Sequence, residues 1–335
     1  MPLRRLPLVT LYLSERCNSR CVSCDYWRHG RADLNLEAVS HLLGSFERLG
    51  TEIVLISGGE PLLNPEWAQI AELLREHGLK LWLLTSGLSL AKHAQRAARL
   101  FDAITVSLDG TDSETYAAIR GVDAFDVVCR GIHAAVAAGV PVTLRVTLQR
   151  GNFRQLPAFV ALARQLGVAH ISFLAIDVAN AHAFGRHDGF MADLALRNED
   201  LPELDRLLRT TEREHAEAFS TGFISESPDK LRRRILRYFA ALCGLGSYPP
   251  VLCNAPEFSA VIDARGHVSP CFFIDGPSES MANDDLEGAL NSVSMTALRQ
   301  AIRGGERAEC RRCVCSMWRD LQEPATERMP VARSA

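Results

Sequence analysis

The stretch Cys17-Asn18-Ser19-Arg20-Cys21-Val22-Ser23-Cys24 follows a short apolar run from Pro7 to Leu13. We interpret that run as a β-strand and not as a signal peptide, because it passes into Ser14-Glu15-Arg16 without a cleavage site of small residues. The three cysteines then lie on the loop at the carboxyl end of the first strand. This edge of a parallel sheet is where ligands bind in α/β proteins, so the loop is predicted to be a ligand site.

From residue 7 to about residue 176, short apolar runs alternate with amphipathic stretches, which is the pattern of repeated βα units. Six units are too few for a closed barrel of eight strands, so the predicted fold class is α/β with a partial (β/α)6 TIM-like barrel. One predicted helix has Asn64 as its N-cap, Pro65 at its first position and Gly78 just past its end. The predicted strands are Pro7 to Leu13, Glu52 to Ser57, Leu79 to Leu84, Ala103 to Leu108, Pro141 to Leu148, and His170 to Ile176.

The composition excludes several classes of protein. With 335 residues, 47% of them hydrophobic, the chain can bury a large core, which excludes a disordered or fibrous protein. Its 37 basic and 40 acidic residues give a net charge of −3, so nucleic acid is not the expected partner. No apolar run reaches the roughly 18 residues of a membrane span. Eight of the ten cysteines lie in two clusters, and without a secretion signal they favour ligand sites in a reducing, cytoplasmic compartment.

The pattern changes along the chain, which predicts four segments. Residues 1–200 form the core domain, residues 201–250 a helical bridge, residues 251–320 a small cysteine-rich domain, and residues 321–335 a disordered tail. Within the small domain, Ser259 to Ile262 and His267 to Val268 are predicted to pair as a hairpin around a turn ending at Gly266.

Three thiolates spaced as Cys17-x3-Cys21-x2-Cys24 can hold three corners of a [4Fe-4S] cluster and leave the fourth iron open. A structural zinc site needs four ligands, and only the distant His29 could supply the fourth. The loop resembles the signature of the radical S-adenosylmethionine (SAM) superfamily. The resemblance implies that these cysteines bind a [4Fe-4S] cluster, that SAM chelates the open iron, and that one electron cleaves SAM to a 5′-deoxyadenosyl radical.

Polar residues at the following strand ends strengthen the resemblance. Ser57-Gly58-Gly59-Glu60-Pro61 resembles the family motif whose backbone and carboxylate hold the SAM amino group. Ser86, Ser107 and Asp109 resemble positions facing the SAM ribose and methionyl carboxylate. Arg145 could pair with that carboxylate or lie on a solvated strand end. The implied SAM-binding residues are Gly58, Gly59, Glu60, Ser86, Ser107, Asp109 and Arg145.

A second set of cysteines reads Cys253-x12-Gly266-x4-Cys271 and, 38 residues later, Cys310-x2-Cys313-x-Cys315. Four cysteines can close either a [4Fe-4S] cluster or a zinc site. The pattern resembles the SPASM and twitch extensions of radical SAM enzymes. The resemblance implies one auxiliary [4Fe-4S] cluster of the twitch type, because a full SPASM domain needs further cysteines. Its expected ligands are Cys253, Cys271, Cys310 and Cys313, with Cys315 as a replacement for Cys313 or a spare thiol.

The resemblance implies a radical SAM oxidoreductase that abstracts a hydrogen atom from its substrate. We expect oxidation of a small molecule, as in a dehydrogenase, with the auxiliary cluster accepting an electron, and an electron donor such as flavodoxin or ferredoxin. A peptide maturase forming thioether or carbon-carbon bonds, or an epimerase, is the alternative. Only six residues precede the first predicted strand, which leaves no fused N-terminal peptide-recognition domain and favours the small molecule. A non-enzymatic zinc-binding module is the distant alternative.

Overall fold

A computed structural model describes residues 2–180, 183–186, 192–274, 279–280 and 285–320. The predicted disordered tail, residues 321–335, lies outside these residues. Within them, the strands form a single sheet in the order β6-β5-β4-β3-β2-β1-β7-β8-β9. The strands are β1 Leu8–Ser14, β2 Ile53–Gly58, β3 Lys80–Thr85, β4 Ala103–Ser107, β5 Val142–Leu148, β6 His170–Ala175, β7 Ser259–Ile262, β8 His267–Ser269 and β9 Glu279–Ser280.

The first six strands pair in parallel, each with its neighbour in sequence, which confirms the predicted βα fold. Their bounds agree with the predicted ones to within a residue or two. On β5, buried residues alternate with partly exposed ones, so Val142, Leu144 and Val146 face the packed helices. Thr143, Arg145 and Thr147 point to the opposite face, the interior of the open barrel, which we call the lumen.

The helices between the strands cover the outer face of the sheet and bury their apolar sides in one core. The segment that follows the sixth strand contains one long helix, Leu201–Glu214. It also contains three short helices and a π-helical turn at Arg232–Leu236. The helices are α1 Tyr26–His29, α2 Leu36–Arg48, α3 Trp67–Glu76, α4 Leu90–Leu100, α5 Ser113–Arg120, α6 Phe125–Ala137, α7 Leu156–Gln165, α8 Leu201–Glu214, α9 Ala216–Ser220, α10 Pro228–Leu231, α11 Arg237–Leu242, α12 Leu286–Leu290, α13 Val293–Arg303 and α14 Ala308–Arg311.

The predicted start of the third helix is wrong. Asn64 was expected as the N-cap and Pro65 as the first helical residue, but α3 begins at Trp67. Asn64 is buried, and its amide donates hydrogen bonds to the carbonyl oxygens of Leu13, at 2.7 Å, and Leu34, at 2.8 Å. The side chain therefore fixes the end of β1, and the helix starts only after a turn.

The hairpin predicted around Gly266 is present, since β7 and β8 pair in antiparallel fashion. In addition, β7 pairs in parallel with β1, Leu8 opposite Ser259 and Leu11 opposite Ile262. The cysteine-rich segment therefore continues the barrel sheet at the edge of its first strand. Apolar residues that include Leu8, Trp82 and Phe258 pack together where the strands begin.

The segment after β6 contributes polar side chains to the lumen. Glu226 is buried, and its carboxylate accepts hydrogen bonds from the Ser172 hydroxyl, at 2.7 Å, and the Phe173 amide, at 2.9 Å. Ser172 is the partner of Arg145 across β5 and β6. In the described part of the chain, no helix has the length and apolar character needed to cross a membrane.

Candidate active site

The loop from Cys17 to Cys24 is fixed along the end of α5. The Arg20 amide donates to the Arg120 carbonyl, at 2.9 Å, and the Val22 amide donates to the Ile119 carbonyl, at 3.0 Å. Gly121 has a φ of 69°, and a Cβ there would lie 2.1 Å from the carbonyl oxygen of Arg20. Only glycine permits both the backbone conformation and this approach, so the sequence Arg120-Gly121 is what lets the loop and helix pack.

Arg186, a buried residue in the segment after β6, also holds this loop. Its Nε donates to the Ser23 carbonyl at 3.0 Å, and its Nη1 donates to the Asn180 carbonyl at 3.2 Å. Asn180 and Asp177 are buried beside it. The segment after the sixth strand therefore holds the cysteine loop in addition to α5.

The three thiols are free and receive hydrogen bonds suited to sulfur ligands. The Ser19 amide donates to Cys17 Sγ at 3.4 Å, and Arg120 Nη1 donates to Cys21 Sγ at 3.3 Å. Burial raises the pKa of Cys17 to about 11 and that of Cys24 to about 12. Such thiols need a positively charged partner to ionise, which an iron cluster provides. The donor set therefore fits the [4Fe-4S] cluster expected from the sequence.

Glu60 lies at the centre of a hydrogen-bond network at the ends of β2 and β3. Its fully buried carboxylate accepts from the Thr85 hydroxyl at 2.8 Å, the Ser86 hydroxyl at 2.6 Å and the Ser86 amide at 2.7 Å. Ser86 also donates to Asn18 of the cysteine loop, at 3.1 Å. The structure thus brings Glu60 and Ser86 together beside the cysteine loop, as the motif comparison predicted.

Gly58 and Gly59 pass close to the strand that carries the cysteine loop. A Cβ on Gly58 would lie 2.5 Å from the Ser14 carbonyl oxygen, and one on Gly59 would lie 2.4 Å from that of Arg16. The amides of Gly59 and Glu60 use this approach to donate to the same carbonyls, each at 2.7 Å. The two glycines therefore set the position of Glu60 relative to the loop.

Asp109 and Ser107, at the end of β4, contact Arg120. Asp109 is buried and accepts from the Thr147 amide at 2.7 Å, while its second oxygen lies 3.4 Å from Arg120 Nη1. The Ser107 carbonyl accepts from Arg120 Nη2 at 3.1 Å. Burial raises the pKa of Asp109, and the Arg120 charge and the Thr147 amide oppose that rise without cancelling it. Both carboxylate oxygens are thus occupied within the protein.

Arg145 lies in the lumen beside the C-terminal cysteines. Its Nε is buried and has no hydrogen-bond partner among the described residues. Its charge lowers the pKa of Cys315, although burial, the largest effect, keeps that pKa raised. Lys230, which is only 9% exposed, feels the charge of Arg145 as well. Arg145 is therefore partly buried and does not lie on a fully solvated strand end.

The five C-terminal cysteines, Cys253, Cys271, Cys310, Cys313 and Cys315, form one group that we call the auxiliary cysteine group. Burial raises the pKa of Cys271 to about 12, and the charges of three others in the group raise it further. Three hydrogen bonds join their segments: from the Asn254 amide to the Met317 carbonyl at 3.0 Å, from the Arg319 amide to Asn254 Oδ1 at 2.9 Å, and from Asn254 Nδ2 to the Arg319 carbonyl at 2.8 Å. All five thiols are free.

Tyr12 lies between the two sets of cysteines. Its ring packs edge-on against Tyr26, with centroids 6.2 Å apart, and against Phe272, with centroids 5.7 Å apart. Burial is the main effect that raises the pKa of Tyr12, and Cys271 and Cys24 raise it further. One lumen residue of β1 therefore adjoins both cysteine sites.

Comparison with known proteins agrees with this geometry. The sequence model of the radical SAM superfamily matches residues 11–163, and that of the SPASM iron-sulfur cluster-binding domain matches residues 253–314. The chain is a radical SAM enzyme of the SPASM type. Its cofactors are SAM and [4Fe-4S] clusters. The first cysteine loop lies in the first matched region, and the auxiliary cysteine group, except Cys315, lies in the second.

Similar radical SAM proteins have different names and activities. The chain is 28% identical to Fe-coproporphyrin III synthase of Methanosarcina barkeri over 225 residues, 64% of this chain and 53% of that protein. It is 27% identical to mycofactocin maturase MftC of Mycobacterium tuberculosis over 273 residues, 79% of this chain and 64% of that protein. The chain spans about half the length of most of the curated relatives it matches.

The fold is also that of solved radical SAM structures. Streptococcus suis SuiB bound to S-adenosylmethionine superposes with a TM-score of 0.67 at 16% identity, covering 94% of this chain and 73% of SuiB. At this identity the similarity concerns the fold alone.

Sequence reasoning missed Arg120, Lys230 and Arg234. Arg120 is the last residue of α5 and is far in sequence from Cys21. Only the glycine that follows it, Gly121, indicates that another segment passes close to the end of this helix. Lys230 and Arg234 lie on the bridge, where charged helices usually face solvent. In the structure both cations are close to the auxiliary cysteine group, and Arg234 Nη1 is buried without a partner among the described residues. No local sequence pattern predicted that Lys230 and Arg234 are buried.

Proposed function

We propose that this radical SAM enzyme oxidises a small molecule by abstracting a hydrogen atom, and that one auxiliary [4Fe-4S] cluster accepts the second electron. When bound, SAM and its cluster supply the 5′-deoxyadenosyl radical. The observation that supports the proposal is the position of Tyr12, which adjoins Tyr26 beside Cys24 and Phe272 beside Cys271. A substrate in the lumen would lie between the radical source and the electron acceptor.

The lumen side chains have distinct proposed roles. Glu60, fixed by Thr85 and Ser86, binds the SAM amino group, and the backbone at Gly58 and Gly59 keeps it beside the cysteine loop. Ser86, Ser107 and Asp109 border the ribose and methionyl end of SAM. Arg145 binds an anionic group in the lumen, of which the SAM carboxylate is one. Cys253, Cys271, Cys310 and Cys313 hold the auxiliary cluster, with Cys315 next to them.

We infer that the electron donor is an acidic redox protein such as flavodoxin or ferredoxin. Arg20, Arg28 and Arg31 border a recess that also contains Cys17, whereas the whole chain has a net charge of −3. A local positive surface of this kind speeds the encounter with a negatively charged partner. The surface adjoins the cysteine loop, where the electron has to enter.

The second candidate function is peptide maturation. It is favoured by the similarity to the maturase MftC, which extends over 79% of this chain and includes the bridge. A peptide substrate would enter the same lumen, so the two candidates predict the same radical source and differ in the molecule that stimulates it.

The test is anaerobic reconstitution with iron and sulfide, then SAM and dithionite, with 5′-deoxyadenosine as the product. Cys17→Ala/Cys21→Ala/Cys24→Ala should abolish that product, and Cys253→Ala/Cys310→Ala should retain SAM cleavage but lose substrate oxidation. Stimulation by a peptide-free metabolite extract supports the small molecule, and stimulation that protease treatment removes supports the peptide. Full iron content without nucleoside under every condition contradicts the radical assignment of the loop.

A further inference from the structure

Arg120 makes more contacts with the cysteine loop than its position at the end of α5 suggests. Its carbonyl accepts from the Arg20 amide at 2.9 Å, and its Nη1 donates to Cys21 Sγ at 3.3 Å. The same nitrogen lies 3.4 Å from Asp109, and Nη2 donates to the Ser107 carbonyl at 3.1 Å. The side chain is 12% exposed. A buried guanidinium with these partners has one orientation, directed at the sulfur.

Asp109 is in turn prevented from moving. Its Oδ1 accepts from the Thr147 amide at 2.7 Å, and its backbone carbonyl accepts from Asn152 Nδ2 at 3.0 Å. Asp109 is therefore attached to β5 through its carboxylate and to the turn after β5 through its backbone carbonyl. Cys21, Asp109 and Ser107 together define where the guanidinium lies.

We propose that Arg120 is a positioning residue for the SAM-binding cluster, holding Cys21 in its ligating orientation and raising the reduction potential of that cluster. Hydrogen bonds to cluster sulfurs and nearby positive charge both stabilise the reduced form, which carries one more negative charge than the oxidised form. In the step concerned, the cluster gains one electron from the donor, and no bond forms or breaks. The proposal does not depend on the nature of the substrate.

The test uses Arg120→Gln and Arg120→Lys in the full chain, reconstituted with both clusters and titrated with dithionite under EPR without SAM. The signal of the SAM-binding cluster is identified by its absence in Cys17→Ala/Cys21→Ala/Cys24→Ala. Arg120→Gln is expected to shift the one-electron reduction equilibrium about tenfold against reduction, which corresponds to about 59 mV. Arg120→Lys keeps the positive charge but lacks the planar guanidinium, so the potential of its cluster should lie between those of the wild type and Arg120→Gln.

Arg186→Gln is the matched control. Arg186 is also a buried arginine that holds the cysteine loop, and its charge acts on Cys24, but it donates to the Ser23 carbonyl and not to a sulfur. Arg186→Gln should therefore shift the potential less than Arg120→Gln. A loss of loop rigidity alone would shift the potential equally in both glutamine variants. Equal shifts in both variants, or an unchanged potential in an Arg120→Gln protein with full iron, would overturn the proposal.

A second measurement needs no substitution, so it tests the hydrogen bond between Arg120 and Cys21 even if Arg120→Gln fails to bind iron. The wild-type protein is prepared with arginine labelled with ¹⁵N in the guanidinium group and reduced without SAM. Pulsed EPR is expected to show coupling between the SAM-binding cluster and guanidinium ¹⁵N. Absence of that coupling in fully loaded protein contradicts the hydrogen bond to Cys21 and with it the proposal. Failure of substrate oxidation leaves this result unaffected.

Discussion

Gly59 illustrates how one residue controls the SAM site. Its backbone approaches β1 so closely that a Cβ would lie 2.4 Å from the Arg16 carbonyl oxygen and 2.8 Å from that of Glu15. Gly59→Ala must therefore displace the chain next to Cys17. We expect a loss of about 1–3 kcal/mol in stability and a fall from about eight to about four iron per chain, measured by thermal unfolding and iron analysis.

Gly151→Ala serves as the control for this prediction. A Cβ there meets Ile119 at 3.6 Å, an ordinary contact, and neither glycine has a positive φ. The control should keep its iron. Full iron in Gly59→Ala would show that the loop tolerates the displacement.

Glu60 makes a second prediction at the scale of the residue. The carboxylate is fully buried and fixed by Thr85 and Ser86, so Glu60→Gln removes a charge while keeping the shape. Loss of a charge-assisted hydrogen bond to the SAM amino group should weaken SAM binding about 10- to 100-fold. Calorimetric titration with SAM measures the change, and Glu66→Gln, at a carboxylate that accepts from the Leu36 amide, should bind SAM normally.

The helical bridge depends on a buried carboxylate at the start of α8. Asp200 accepts from Arg150 Nε at 3.3 Å, Arg154 Nη2 at 3.2 Å and the Arg197 amide at 2.9 Å. Burial raises the pKa of Asp200, but the Arg197 amide and the two arginines outweigh it and hold the pKa below its ordinary value. This carboxylate therefore joins the start of α8 to the turn between β5 and α7.

Asp200→Asn should lower the free energy of unfolding at pH 7 by about 2 kcal/mol. Because the folded pKa lies below the unfolded one, about 3.9, the stabilisation is complete above that value and is lost as the pH falls through the folded pKa. Urea unfolding of the metal-free protein should thus show a difference from wild type that shrinks below about pH 4. Asp205→Asn, which breaks an exposed pair with Arg209 on the same helix, should cost under about 1 kcal/mol.

At the scale of the whole molecule, the auxiliary cysteine group has one thiol more than a [4Fe-4S] cluster needs. If Cys313 ligates the cluster and Cys315 is spare, Cys313→Ala should retain about four iron and Cys315→Ala about eight. Iron and sulfide analysis after anaerobic reconstitution measures both. The reverse result would assign Cys315 as a ligand, and Cys129→Ala, on α6, is the control with full iron.

The βα order, the hairpin around Gly266 and both sets of cysteines could be predicted from the sequence, because apolar periodicity and short ligand spacings are local properties of the chain. The sequence also named Glu60 and Ser86, whose strand ends lie side by side in any parallel sheet built in this order. The predicted start of α3 was wrong because the buried Asn64 side chain donates a hydrogen bond to Leu13 on β1, which is distant in sequence.

Only the tertiary structure decided which distant side chains meet. The pairing of β7 with β1 joins the auxiliary cysteine group to the barrel, although residues Leu8 and Ser259 are far apart in sequence. The hydrogen bond from Arg120 to Cys21 likewise spans the chain from α5 to the first loop. Local pattern carries no information about such contacts, because they arise from the packing of elements whose faces become neighbours only when the sheet curls.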